Sequence, residues 1–283
     1  MLDPISSLKA PPPRYLLESD SSDEEGQGAY PASAAPTQRR AAPPAPVVSV
    51  SPLPGASASE LPLKASSAVV AIGQAGAYLL RRASSARPLL SVTLDSARAG
   101  TVFALDGGSA LLALNELDSG DAAYAVVEAV LGVVAAESWT LVSSYVPAMY
   151  IPSAGEPRAL DPPVRYLSSS SAVSLSSPAL RTYDAPNYVT GVAGAFLSAS
   201  AHPASPFHGK AATLLLLPLP LSTLAPSAVS SALAAAAPVA AKALGRSAHW
   251  TEVDDEPFVG LGMGARRPHQ EAPAGDDLSG MYM

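Results

Sequence analysis

Short apolar runs separated by turn signals begin at Ala68, and they constrain the fold more than any other feature of the chain. AVVAI at 68–72, LLSVTL at 89–94, TVFALD at 101–106 and ALLALN at 110–115 have the length and composition of strands. Asp106-Gly107-Gly108, between the last two, is a hairpin signal, so the sheet is expected to contain at least one antiparallel pair. DAAYAVVEAVLGVVAAES at 121–138 follows Asp118 and Ser119, both capping candidates, and reads as a largely buried helix leading into the strand WTLVSSYV. A Pro- and Ser-rich linker is expected from about Pro152 to Ser177. After it come a short strand near 179–183, a helix at about 188–200, the apolar strand TLLLLPLP, a helix from about Pro226 to Leu244 and an extended piece near 249–253. Strands interleaved with helices point to the α/β class: a single three-layer α/β/α domain with a mixed sheet over residues 67–251.

The flanks differ in composition. Residues 1–66 hold 12 of the 29 prolines and read as a disordered leader rich in Pro, Ser and Ala. Ser21 and Ser22 each stand three residues before an acidic residue, Glu24 and Glu25, a pattern that acidophilic kinases could use, but the preferred reading is a solvated acidic stretch. The last 32 residues, from Glu252, carry seven acidic residues against Arg266 and Arg267 and read as a flexible acidic tail. No repeat of 20 to 50 residues points to a solenoid or propeller.

Composition narrows the function classes. With 48% hydrophobic and only 14% charged residues, against roughly 25% charged in typical soluble domains, the chain has a core or interface to fill. A net charge of -7 without a basic patch disfavours nucleic-acid binding. The absence of cysteine removes disulfides, thiolate metal sites and cysteine nucleophiles, and suits the reducing cytosol and nucleus. MLDPISSLKAPPPRY lacks a signal-peptide pattern. The uncharged run between Lys210 and Lys242 is long enough for a membrane crossing, but Pro218, Pro220, Pro226 and Pro238 divide it into strand, turn and helix.

Catalytic signals are sparse. His202, His208, His249 and His269 fall in or beside expected loops or the tail, without a metal-binding spacing or an acid–base partner pattern. Neither a GxSxG elbow nor a GxxxxGK[ST] loop occurs. GLGMGA at Gly260 to Ala265 satisfies GxGxxG/A literally, but it lies in the tail outside any strand–helix unit and reads as a linker. Gly191 and Gly194, in the helix after Asn187, are read as close-packing positions. The expectation is a protein without catalytic residues, cofactor or metal. An enzyme of phosphorylase or hydrolase type, hosted by the same fold class, stands as the alternative, as does a scaffold protein whose final tyrosine is coincidental.

The chain ends Met281-Tyr282-Met283. An α-carboxylate can pair with a lysine, the phenol can stack and hydrogen-bond, and the apolar residue before it can fill a groove. This ending resembles the hydrophobic-tyrosine-X motif with which proteasomal activators and assembly chaperones enter pockets between α subunits of the 20S core particle. In length and layout the chain is similar to the proteasome assembly chaperone 1 family, and Ala185-Pro186-Asn187-Tyr188-Val189-Thr190-Gly191-Val192-Ala193-Gly194-Ala195-Phe196 looks like that family's helix-opening stretch. Chaperone 2 of the same pair can also end in this tripeptide. The resemblance implies a heterodimer with proteasome assembly chaperone 2, seated on 20S α-ring subunits in the cytoplasm or the nucleus, with Met281, Tyr282 and Met283 as the contact to the α-ring pocket. Neither nucleic acid nor membrane is implied as a partner. Three such residues, about 29 heavy atoms at about 0.3 kcal/mol each, reach a ceiling near 9 kcal/mol before the tail is ordered, so a lone tail is expected to bind weakly.

Overall fold

The structure, a computed structural model, describes residues 44–54, 56, 61–153, 155–156, 161–169, 175, 177 and 180–255. All of these but Pro44 belong to one compact unit.

Its centre is strand β2 (Leu63–Ile72), where Ala68 to Ile72 are each 0% exposed. A strand projects successive side chains to opposite faces. Ala68, Val70 and Ile72 accordingly join one hydrophobic cluster, while Val69 and Ala71 join another. A strand that is apolar on both faces needs helices on both, which is the three-layer α/β/α arrangement expected from the sequence. The nine strands among the described residues run in the order β1-β3-β4-β5-β2-β6-β9-β7-β8. Their ranges are β1 Val48–Pro52, β3 Ala86–Leu94, β4 Ala97–Leu105, β5 Ser109–Leu114, β6 Val134–Tyr145, β7 Val164–Ser168, β8 Leu180–Thr182 and β9 Ala212–Pro218.

The sheet is mixed. β5, β2, β6 and β9 are parallel neighbours and form its middle, whereas β1, β3, β4 and β5 pair antiparallel on one side and β9 with β7 on the other. The expected hairpin joins β4 to β5, with Gly107 at φ 77 and Gly108 at φ 73. Helices α2 (Gly120–Val133) and α3 (Gly191–Ala201) cover one face. Helices α1 (Gln74–Arg82), α4 (Pro226–Ala236) and α5 (Pro238–Ala243) cover the other. Ser119 caps α2 by accepting the Ala122 N–H at 3.4 Å.

Several boundaries depart from the sequence reading. The sheet extends further toward the N-terminus than the Pro-rich composition implies, since β1 lies inside the segment read as leader and pairs antiparallel with β3 from Val48 to Pro52. Strand β7 lies inside the stretch read as a linker, and helix α1 fills the interval after β2. The helix expected over 121–138 stops at Val133, and β6 begins at the next residue. The helix expected over 226–244 divides at Ala237, because Pro238 lacks an N–H to continue the first helix and starts a second. Residues 249–253 form no strand.

That last segment is instead fastened to the domain. The Asp255 carboxylate accepts the backbone N–H of Leu221 at 2.9 Å and of Ser222 at 3.2 Å, and the Trp250 indole N–H at 2.9 Å. Arg81 pairs with Asp254 at 2.7 Å and lies 4.6 Å from the centre of the Trp250 ring, and this hydrogen bond, with those from Thr251, holds the Asp254 carboxyl well below the usual carboxylate range. Trp250 packs edge-on against Tyr78 at 5.5 Å.

Behind Tyr78 lies Arg82, 0% exposed, which donates to the Leu244 carbonyl at 3.2 Å, the Tyr78 hydroxyl at 3.3 Å, the Pro226 carbonyl at 3.4 Å and the Ser230 hydroxyl. All four partners are neutral, so one guanidinium joins the end of α1 to the start of α4 and the residue after α5. Arg82→Ala leaves these acceptors unpaired beside a cavity and is expected to cost about 3 kcal/mol in denaturant unfolding. Arg82→Lys should recover little of this, because an ammonium cannot span the fork.

Candidate functional site

The connections leaving neighbouring parallel strands diverge, and this opens the carboxyl edge of the sheet. β2 leads to α1 on one face, while its neighbour β5 leads to α2 on the other. Of the other parallel pair, β9 is followed by α4, whereas β6 runs on through β7 and β8 of the same sheet before the chain reaches α3 on the opposite face. Open α/β sheets bind ligands in the crevices such divergences leave.

One recess there, about 300 Å³, has Glu116, Tyr145, Tyr150, Tyr183 and Tyr188 among its lining residues. The rings of Tyr145 and Tyr150 meet at 6.1 Å and 72°, those of Tyr145 and Tyr183 at 6.4 Å and 70°, and those of Tyr150 and Tyr183 at 5.6 Å and 45°. Tyr145 donates its hydroxyl to the Pro163 carbonyl at 2.8 Å, and Tyr183 donates to the Tyr188 carbonyl at 3.3 Å. The Tyr150 hydroxyl is buried without a hydrogen bond. Burial raises the phenol pKa of all three, so the cluster is neutral at physiological pH.

Behind the cluster stands Arg165, its side chain 5% exposed, with its guanidinium carbon 3.5 Å from the centre of the Tyr150 ring. It donates to Glu156 at 2.6 Å and to the Thr182 carbonyl at 2.8 Å. Arg165 lines a neighbouring cavity of about 1380 Å³ with Arg181, Asp161 and Asp184, and does not line the tyrosine recess.

Asn187 shapes the rim. Its side-chain oxygen accepts the Ile151 N–H at 2.8 Å, and its amide donates to the Ile151 and Asp184 carbonyls, each at 2.8 Å. The asparagine thus pairs with the Ile151 backbone as a neighbouring strand would. The clamp holds out an apolar margin: Met149 is 53% exposed, Ile151 55% and Tyr188 76%.

Glu116 follows β5 and approaches two chain reversals. Gly73 (φ 58) opens α1 and Gly191 (φ 61) opens α3, and a Cβ on either would come within 3.1 or 3.2 Å of a Glu116 carboxylate oxygen. Both positions require glycine for its positive φ and its missing side chain. A Cβ on Gly194 would lie 2.7 Å from the Val189 carbonyl oxygen, so the close approach there is to the chain that leads into α3 and not, as expected, to the sheet or a partner. Among the described residues no hydrogen bond or ion pair engages the Glu116 carboxylate. Loss of water, with Asp118 adding to it, raises its pKa.

The sequence-predicted contact residues Met281, Tyr282 and Met283 lie outside the described residues, as do Ser21, Ser22, His269 and the GLGMGA stretch. The structure does not bring the three described histidines together: His202 accepts the Ala204 N–H at 3.3 Å beyond the end of α3, and His249 offers its carbonyl to Arg81 at 3.4 Å. Among the described residues no group of three or more His, Cys, Asp or Glu side chains could hold a metal ion. Glu116, Arg165 and the tyrosine cluster were missed by sequence reasoning. They come from four separate segments, and the signal within reach was the run of tyrosines at strand ends.

Two outcomes test this geometry. A raised carboxyl pKa means that the folded state holds the proton more tightly than the unfolded one, so Glu116 costs stability above its folded pKa and that cost disappears as pH falls below about 4.5, the ordinary value. Glu116→Gln is therefore expected to melt above the wild type at neutral pH, with the gap closing in acid. Asn187→Ala should cost about 1–2 kcal/mol and speed amide exchange at Ile151, measured by hydrogen–deuterium exchange.

No protein-family model matches the chain, and no curated protein matches it. Two solved structures of Pyrococcus furiosus PbaA, an archaeal homolog of proteasome-assembly chaperone, are similar to it in part. The monoclinic form is 13% identical with a TM-score of 0.44, over 71% of this chain and 83% of that one. The second is 11% identical with a TM-score of 0.41, over 72% of this chain and 88% of that one.

Proposed function

We propose that this protein is a non-catalytic chaperone for assembly of the 20S proteasome core particle, acting as a heterodimer with proteasome assembly chaperone 2 and seating Met281-Tyr282-Met283 in a pocket of the α ring. The observation that carries the reading is the hydrophobic-tyrosine-X ending itself, a chance match only about 2% of the time for a chain with 48% hydrophobic residues and 10 tyrosines in 283.

The structure bears on how such a plug would be presented. The chain is fastened at Asp255, and Met283 lies 28 residues beyond that anchor, a covalent reach of at most about 100 Å. The root of the tail is therefore fixed at the carboxyl edge of the sheet. The acidic residues between that root and Met283 favour a pocket ringed by lysines and make association salt-sensitive.

A second reading, an enzyme of phosphorylase or hydrolase type, draws on the carboxyl-edge crevice and the unpaired Glu116 carboxylate. The two separate cleanly. In affinity purification from an N-terminally tagged chain, removal of Met281 to Met283 should abolish recovery of α subunits and leave recovery of chaperone 2 unchanged. Tyr282→Ala should weaken α-ring binding about tenfold or more without lowering the melting temperature. Equal recovery of α subunits by the full and shortened chains would refute the proposal.

A further inference from the structure

Thr251 begins the short segment that fastens the tail to the domain. It lies outside any helix or strand and is half-buried, and the two residues after it are exposed, Val253 to 94%. Its N–H and its hydroxyl both meet one oxygen of Asp254, at 2.9 Å and 3.0 Å, while the other oxygen of that carboxylate accepts from the Arg81 guanidinium at 2.7 Å. Asp254 is ionised, so in both bonds Thr251 is the donor. The next residue, Asp255, makes the three bonds to Leu221, Ser222 and Trp250 that pin the segment. The turn that presents Asp255 to the domain is thus closed in part by one hydroxyl proton.

The sequence around this hydroxyl is that of a phosphate acceptor. In Thr251-Glu252-Val253-Asp254-Asp255-Glu256, four of the five residues after the threonine are acidic, and Asp254 stands three residues on, the position acidophilic kinases read. Ser153, which also precedes an acid by three residues, has Glu156 alone. We infer that Thr251 is a phosphorylation site for an acidophilic protein kinase, and that its modification releases residues 249–255 from the domain. The γ-phosphoryl group of ATP passes to Thr251 Oγ1: the new P–O bond forms as the bond to the β-phosphate oxygen breaks, ADP leaves, and the hydroxyl proton goes to the kinase's base and then to solvent. The resulting ester oxygen has no proton to give Asp254. A charge of about -1.5 to -2 stands where a donor stood, against Asp254, Asp255 and Glu252, and it competes with Asp254 for Arg81. A kinase reaches the hydroxyl and the acids beside it when the turn opens, and the phosphate then opposes its closing. The inference concerns how the tail is anchored and does not depend on what its tip binds.

The test incubates the full chain, carrying Ser21→Ala and Ser22→Ala, with casein kinase 2 and ATP, and maps the product by mass spectrometry. A phosphate should appear at Thr251. In the phosphorylated chain, hydrogen–deuterium exchange should quicken about tenfold at the Leu221 and Ser222 amides, which lose Asp255, and stay unchanged in β2, which rules out general unfolding. Treatment with a phosphatase should restore the slow exchange. No phosphate at Thr251 under conditions that label a peptide of residues 247–258 would overturn the inference. So would a phosphorylated chain whose Leu221 and Ser222 amides exchange no faster than before, or whose exchange stays fast once the phosphate is removed. A chain ending at Gly280 should be phosphorylated and released in the same way, so failure here and failure of the α-ring proposal are told apart.

Discussion

Two-sided burial of β2 is the constraint on which the rest of the architecture depends. Five consecutive residues without solvent contact can be satisfied only by a strand inside a sheet with a helical layer on each face. Small residues at 68 and 71 let those layers approach closely, and β5, β6 and β9 repeat the pattern, with Leu111, Val142 and Leu215 facing one layer and Leu112, Leu141 and Leu214 the other. The parallel middle of the sheet follows, because chain that leaves such a strand must cross a face before it returns.

The same constraint places the openings. Alternate filling of the two faces sends neighbouring strands' connections apart, so the carboxyl edge has crevices by construction. The details at that edge run against stability. Gly73 and Gly191 adopt left-handed backbone on either side of the exposed Glu116. The domain's interior is satisfied instead: the buried Arg82 has four acceptors distributed over three helical segments.

The parts of the fold legible in the sequence were those whose pattern exceeds local noise. The runs at 68–72, 101–106, 110–115 and 213–218 are strands because long apolar stretches bounded by turn residues have few alternatives, and Gly107-Gly108 fixed a hairpin. β1 was hidden because Val48 and Val50 alternate with serines inside a proline-rich stretch, and an edge strand five residues long draws its stability from β3 rather than from its own composition. α1 carries a glycine at 76 and no side-chain cap, so packing against β2 and β6 rather than intrinsic propensity makes it helical. β7 escaped notice among prolines and serines, although its pairing with β9 completes that side of the sheet. The recess was illegible for a different reason: Glu116, Tyr145, Tyr150 and Tyr183 meet only after β5, β6 and β8 are in register, and no spacing along the chain encodes that.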